Sequence, residues 1–168
     1  VDDAKVTIDN DAKTVTYAQN TTGTSTINVI FTPAVYTINY KDQGGANFSG
    51  THEEGYPTTH TYNATTNLKS ASKEHYTFGG WYKESDCSGT PVTTLGATEY
   101  TDNITLYAQW TPNTYTVTLD RQYGEGGDGS VTATFGSPMP NINVPTRAGY
   151  TFGGYWTEAE GKGRKEGM

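Results

Sequence analysis

A pentapeptide that occurs twice constrains this chain more than any other feature. Tyr-Thr-Phe-Gly-Gly stands at residues 76–80 and again at 150–154, an offset of 74 residues. A second pair, Val-Tyr-Thr-Ile at 35–38 and Thr-Tyr-Thr-Val at 114–117, is offset by 79. The first copy therefore carries five more residues between the motifs (79 minus 74), which a surface loop tolerates. Self-similarity of this kind predicts a tandem repeat architecture.

A third echo extends the repeat toward the start of the chain. Residues 106–117 read LYAQWTPNTYTV and residues 27–38 read INVIFTPAVYTI, again at the offset of 79. Residues 27–31 are therefore predicted to be the closing strand of a module that precedes the first full repeat. Thr-Pro at 32–33 and 111–112 are predicted linkers, because proline cannot extend a strand ladder.

The repeats divide the chain into three predicted units. Residues 1–34 form a short strand-rich unit, either the end of a preceding domain or a degenerate repeat. Residues 35–112 form one complete repeat. Residues 113–168 form a second repeat, truncated before its closing strand, because nothing after Trp156 resembles the LYAQW segment.

Composition and alternation both favour strands. Apolar residues make up only 33% of the chain, and Thr, Tyr, Asn and Gly suit half-exposed strands and the turns between them. Strict alternation predicts that two strands bury one face each, with the inward residues Tyr36, Ile38 and Tyr40 in one and Ile104, Leu106, Ala108 and Trp110 in the other. Further strands are predicted at 57–62 and 76–82, a hairpin at 5–8 with 14–17, and a short helix at 64–72.

Charge and apolar patterning exclude two classes of partner. The net charge is −7, and basic residues cluster only at Lys162, Arg164 and Lys165, so binding to a phosphate backbone is not expected. No apolar run approaches the length of a membrane span, so we expect no membrane insertion in this segment.

Motifs for phosphate or metal binding do not reach the required pattern. The glycines at 124–129 lack a following Lys-Ser/Thr, and acidic residues lie among them. His52, His60 and His75 lack zinc-ligand spacing, and the Asp-Asn-Asp run at 9–11 lacks that of a calcium loop. We therefore expect no metal and no cofactor.

Catalytic side chains are not indicated either. Glu53 and Glu54 are adjacent, so on a strand they point to opposite sides rather than forming a carboxylate pair. Cys87 is the single cysteine, which excludes an internal disulfide, and its acidic neighbour disfavours a reactive thiolate. The chain is expected not to be an enzyme.

Aromatic residues are the one ambiguous feature. If the strands alternate, some members of each pair face outward and could stack on a sugar ring or a partner protein. The alternative is that they fill the small cores or the contacts between repeats. The candidate ligand contacts are Trp81, Tyr82, Tyr107, Tyr155 and Trp156.

The order of these motifs resembles one known family. A Tyr-Thr strand, a Gly-Gly loop, the Tyr-Thr-Phe-Gly-Gly segment, a polar stretch with one cysteine, the ITLYAQW strand and Thr-Pro follow one another. This is similar to the Listeria–Bacteroides repeat, also called the internalin B-repeat, over roughly residues 35–160. Two departures stand out: His75 replaces Gly149, and Trp81-Tyr82 becomes Tyr155-Trp156.

The resemblance implies a fold and a role. It implies mainly β structure with minor α (α+β): tandem β-grasp-like repeats, each with one short helix, here preceded by a short β-meander unit. It also implies a non-catalytic, extracellular spacer or adhesion module on a bacterial cell surface. The alternative is a module that binds a glycan or host protein through exposed strand aromatics. A repeat without its closing strand could also bind other copies of itself through an unpaired sheet edge.

Overall fold

The computed structural model describes residues 6–9, 14–17 and 28–165, and the chain divides into a unit Val1–Pro33 and a unit Ala34–Met168. In the first unit, β1 (Val6–Asp9) pairs antiparallel with β2 (Thr14–Tyr17). This confirms the predicted hairpin, whose tip at 10–13 lies outside the described residues. The closing strand predicted at 27–31 is wrong for its described part, because residues 28–31 are in no strand.

The second unit contains ten described strands and little else that is regular. They are β3 (Val35–Asp42), β4 (Thr51–His52), β5 (Thr59–Thr61), β6 (Thr66–Asn67), β7 (Ala71–Ser72), β8 (Tyr76–Tyr82), β9 (Thr94–Leu95), β10 (Ile104–Pro112), β11 (Thr114–Thr118) and β12 (Ser130–Thr134). The helical residues described are single 3-10 turns at Gln43–Gly45 and Ala159–Gly161. The fold is therefore mainly β.

A four-stranded mixed sheet in the order β5-β3-β10-β8 forms the first repeat. The two central strands are parallel, with Ile38 opposite Ile104, and each outer strand is antiparallel to its neighbour. Ile38, Leu106 and Ala108 are buried on one face, as the alternation predicts. The last strand in sequence, β10, is thus inserted at the centre of the sheet and closes the repeat.

Two small ladders cover the apolar face of this sheet. One pairs β4 with β7 and places Ala71 in the core, and the other pairs β6 with β9 and buries Leu95 completely. The helix predicted at 64–72 is wrong, because those residues supply β6 and β7. Each ladder has only two residues per strand, so long-range partners rather than local propensity determine its conformation.

The linker predicted at 111–112 is also wrong. Thr111 and Pro112 are the last residues of β10 and lie opposite Thr77 and Tyr76 of β8. Proline is tolerated there because the ladder ends at this point, and Tyr76 donates its N–H to the carbonyl of Lys73 instead. The first repeat therefore runs into the second with a single residue, Asn113, between β10 and β11.

The second repeat reproduces only part of the sheet. Its β11 pairs antiparallel with β12, as β3 pairs with β5. Residues 150–155, which repeat the sequence at the start of β8, lie in no strand. Among the described residues that follow β12, no strand takes the place that β10 has in the first repeat.

A close approach at Gly80 gives a first prediction. Gly80 has φ +120°, and a Cβ there would lie 2.7 Å from Cβ of Pro91. We expect Gly80→Ala to lower the free energy of unfolding by about 1–3 kcal/mol. Gly153→Ala, where a Cβ meets nothing within 4 Å, should change it by less than about 0.5 kcal/mol. Urea unfolding followed by near-ultraviolet circular dichroism measures both, and equal losses would contradict the close approach.

Candidate functional site

Two of the five aromatics predicted as ligand contacts are buried in the first repeat. Trp81 is 2% exposed and Tyr82 7% exposed. The Trp81 indole donates Nε1–H to the carbonyl of Lys69 at 2.7 Å, and Tyr82 donates its hydroxyl to Oε1 of Gln109 at 3.2 Å. Both side chains are occupied by the protein itself, which corrects the prediction that one of the pair faces outward.

A β-bulge explains why the adjacent residues Trp81 and Tyr82 are both buried. The register of β8 with β10 shifts between Gln109 and Trp110, and Gly80 adopts its positive φ opposite this point. Such a shift changes the direction of the side chains that follow it. The alternation of inward and outward side chains along β8 is therefore interrupted. The loop after β8 then returns over the strand, and Val92 donates its N–H to the carbonyl of Trp81 at 2.7 Å.

The rings around Trp81 form a continuous aromatic cluster. Trp81 lies 4.6 Å from the ring of Tyr40, 5.2 Å from that of Phe78 and 5.5 Å from that of Phe48. Burial raises the pKa of Tyr40 to about 12, and its hydroxyl donates to the carbonyl of Pro57. The cluster is a core rather than a ligand platform, because the polar atoms of Trp81 and Tyr40 are directed to backbone carbonyls.

His52 lies inside this cluster in a stacked arrangement. Its ring is 3.8 Å from that of Tyr56, nearly parallel at 6°, and 4.2 Å from that of Phe48. Its Nδ1 is buried without a hydrogen-bond partner in the described structure. Burial lowers the pKa of His52 below its ordinary 6.5, because a charged imidazolium is poorly solvated there.

The lowered pKa of His52 predicts a loss of stability in acid. Between the folded-state pKa and 6.5, the unfolded chain binds more protons than the folded chain. The contribution of His52 is therefore fully present above pH 6.5 and declines as the pH falls toward the folded-state pKa. We expect the midpoint of thermal unfolding to fall more between pH 7.5 and pH 5 for the wild type than for His52→Phe. Identical pH profiles would contradict this assignment.

Tyr107 is the one predicted ligand contact of the first repeat whose side chain is not buried. It is half-buried and points to the face of β10 opposite Leu106 and Ala108. Its carbonyl lies 3.9 Å from Sγ of Cys87, a loop residue whose side chain is buried. Burial, followed by the charge of Asp86, raises the pKa of Cys87, so the thiolate is disfavoured.

The second repeat contains an open groove. Its cavity of about 380 Å³ lies between residues that follow β11, residues 144–147 and residues 150–155. Phe152, Tyr155, Arg121 and Arg147 line it, and the Arg147 guanidinium lies 4.2 Å from the Tyr150 ring centre. Tyr155 is half-buried with its hydroxyl oxygen unpartnered in the described structure, while Trp156 is 40% exposed.

The Phe-Gly pair of the repeated motif is packed differently in the two repeats. A Cβ on Gly79 would lie 2.5 Å from Oε1 of Gln109 on β10, whereas one on Gly153 would meet nothing within 4 Å. Phe78 packs 5.2 Å from Trp110 on β10, whereas Phe152 remains 37% exposed. The phenylalanine and glycine that β10 covers in the first repeat are thus uncovered in the second.

The joint between the repeats was missed by the sequence interpretation. The N–H of Asn113 donates to the carbonyl of His75 at 2.9 Å, and its own carbonyl accepts from the N–H of Phe135 at 2.9 Å. The Asn113 side chain also accepts from the hydroxyl of Thr77 at 2.8 Å. One residue therefore connects the backbones of both sheets, with hydrogen bonds that restrict its rotation.

His75 explains one departure between the repeats. It adopts φ +65°, as Gly149 adopts +82° in the second repeat, and a left-handed conformation is unfavourable for a residue with a Cβ. Its ring stacks 4.3 Å from that of Phe135 and its Nδ1 lies 3.0 Å from the hydroxyl of Tyr115. The departure from glycine thus provides contacts between the repeats.

Metal ligands and membrane spans are two further features that bear on function. Within the described ranges, no three His, Cys, Asp or Glu side chains lie close enough together to hold a metal ion. His60, fully buried, bonds Thr66 through Nδ1 at 2.8 Å, while His52 and His75 have the separate positions given above. The same described ranges contain no helix long and apolar enough to cross a membrane.

Two successive modules of strands, joined by one residue, define a tandem repeat chain. Residues 36–109 and 115–166 both match the model of the Listeria-Bacteroides repeat domain. The chain therefore belongs to this family, as the motifs predict. No solved structure matches it.

Two relatives illustrate where such segments occur. The chain is 36% identical over 118 residues to Internalin H of Listeria monocytogenes, covering 67% of this chain and 20% of that protein. It is 32% identical over 132 residues to a protein of Evansella cellulosilytica that is named as a membrane protein, covering 76% of this chain and 19% of that one. The chain thus spans about a fifth of these relatives.

Proposed function

We propose that this chain is a non-catalytic, extracellular repeat region of a bacterial surface protein and acts as a spacer or adhesion module. The joint at Asn113 carries the proposal. A spacer requires that each module restrict the orientation of the next. Hydrogen bonds from one residue to both sheets restrict the joint far more than a free linker would. Membership of the repeat family and the similarity to Internalin H support a surface location.

We assign the modules of this spacer to the three units that the sequence repeats predict. Residues 35–112 are one complete repeat, residues 113–168 belong to a second repeat, and residues 1–34 are the preceding unit. The order β5-β3-β10-β8, with parallel central strands, supports a β-grasp-like module. In it the β4–β7 and β6–β9 ladders take the place of the expected helix.

Pulsed electron–electron resonance between two spin labels tests the joint. Cysteines replacing Thr59 and Thr132, both exposed, report the distance between the two sheets, with Cys87→Ala as background. A stiff joint predicts one narrow distance distribution, and Asn113→Gly should broaden it because the bond from Thr77 is lost. A distribution in the unaltered pair as broad as that of a flexible linker would overturn the spacer function.

The second candidate function is a binding module for a glycan or host protein. The exposed aromatics Tyr150, Phe152 and Trp156 of the second repeat favour it. An array of soluble glycans and host matrix proteins tests it, with Trp156→Ala compared with Met139→Ala, because both side chains are 40% exposed. Binding that Trp156→Ala alone removes would support the function, and no binding by the wild type would refute it.

A further inference from the structure

We propose that the side chain of His75 is the positioning element that sets the stiffness of the joint between the two repeats. Its imidazole ring closes a cycle of three contacts, of which the other two are backbone hydrogen bonds through Asn113. This inference rests on the proposed spacer function and deepens it, because it assigns the restraint on the joint to one replaceable side chain.

The cycle consists of His75, Asn113 and Phe135. The N–H of Asn113 donates to the carbonyl of His75, and the carbonyl of Asn113 accepts from the N–H of Phe135, both at 2.9 Å. The rings of His75 and Phe135 stack at 4.3 Å with an interplanar angle of 25°. Two hydrogen bonds that share only Asn113 leave rotation about its two backbone dihedrals, and the ring contact opposes that rotation by closing the third side.

The hydrogen bond of the His75 ring also crosses the joint. Its Nδ1 lies 3.0 Å from the hydroxyl oxygen of Tyr115 on β11. Because a tyrosine hydroxyl both donates and accepts, this hydrogen bond forms with either tautomer of the imidazole. Within its own repeat, His75 has its Nε2 3.3 Å from the carboxylate of Glu74, and both side chains are exposed. Exposed contacts of that kind contribute little, so the ring acts mainly on the second repeat.

The backbone of the turn favours glycine rather than histidine at residue 75. His75 has φ +65°, in the left-handed region where the Cβ of an L-residue approaches the following carbonyl oxygen. Gly149 holds the corresponding place in the second repeat at φ +82°, where a glycine has no such cost. A Cβ on Gly149 would meet nothing within 4 Å, whereas the ring of His75 has two aromatic neighbours across the joint. These contacts offset the backbone strain at His75.

Tyr76 makes a second ring contact that does not depend on His75. Its ring meets that of Phe135 edge-on, at 5.5 Å and 80°. Tyrosine stands at the corresponding place of both repeats, as Tyr76 and Tyr150, so it does not distinguish them. Since the Tyr76 contact and the backbone hydrogen bonds remain when His75 is replaced, loss of the imidazole should loosen the joint without separating the repeats.

The spin-label pair at Thr59→Cys and Thr132→Cys, in the Cys87→Ala background, measures this joint. His75→Asn removes the ring but keeps a residue that tolerates the left-handed backbone, so it should widen the distance distribution by about twofold or more. His75→Phe retains an aromatic ring against Phe135 and should keep a width close to that of the wild type.

Two further variants show that the ring contact itself is responsible. Phe135→Ala removes the other ring and should widen the distribution as much as His75→Asn does. Combining the two should add no further width, because both remove the same contact. Gly149→His introduces the same side chain at the corresponding place of the second repeat and should leave the width unchanged.

The outcomes separate this inference from the spacer function. A narrow wild-type distribution that stays narrow in His75→Asn would overturn the role of His75 and leave the spacer function intact. A wild-type distribution as broad as that of a flexible linker would overturn both. Near-ultraviolet circular dichroism spectra that match the wild type exclude misfolding as the cause of any widening.

Discussion

Trp81→Ala is expected to lower the free energy of unfolding of the first repeat by about 3–5 kcal/mol. The indole is 2% exposed, packs on Tyr40 and Phe78, and donates to the carbonyl of Lys69. Its removal leaves a cavity and an unsatisfied carbonyl. For a domain with a total stability of about 5–15 kcal/mol, such a loss is a large fraction of the total.

Trp156→Ala is the matched control for this prediction. The residue type is the same, but the side chain is 40% exposed. We expect a change of less than about 1 kcal/mol, since surface substitutions away from special features have small effects. Urea unfolding followed by near-ultraviolet circular dichroism compares the two variants. A Trp156→Ala loss as large as that of Trp81→Ala would mean that the second repeat has a closed core.

Leu106→Ala is the second large effect, with an expected loss of about 2–5 kcal/mol. Leu106 is 0% exposed and is the third residue of β10, the strand inserted between β3 and β8. The deleted methyl groups cannot be replaced by collapse of the neighbours, because paired strands on both sides hold the backbone in place.

Val35→Ala provides the comparison on the adjacent strand β3, because Val35 is 60% exposed. Its loss should stay below about 0.5 kcal/mol. Thermal unfolding by calorimetry measures both variants at the same pH. A Leu106→Ala loss below about 1 kcal/mol would show that β10 is not the central strand of the core.

Strands with one buried face were the most predictable part of this fold. Alternation identifies the inward residues of β3 and β10 because a strand in a half-buried sheet has a period of two. The parallel pairing of these strands is not visible in either segment, since their partners lie 66 residues apart, as in Ile38 with Ile104. The central position of β10 follows from that pairing.

Local patterns failed where tertiary contacts override them. Residues 64–72 contain no long strand signal, and they form β6 and β7 only because β9 and β4 pair with them. Trp81 and Tyr82 were assigned to opposite faces because a bulge and the return of the loop at Pro91 cannot be read from alternation. The residues that line the groove of the second repeat were not predicted from the sequence, because they come from three separate segments that only the fold brings together.

Hydrogen–deuterium exchange tests most directly the central claim that one motif is closed by β10 in the first repeat and open in the second. We predict that backbone amides of residues 76–82 and 104–111 are protected, and that those of residues 150–155 exchange about a hundredfold faster or more. Equal protection of residues 76–82 and 150–155 would contradict the account.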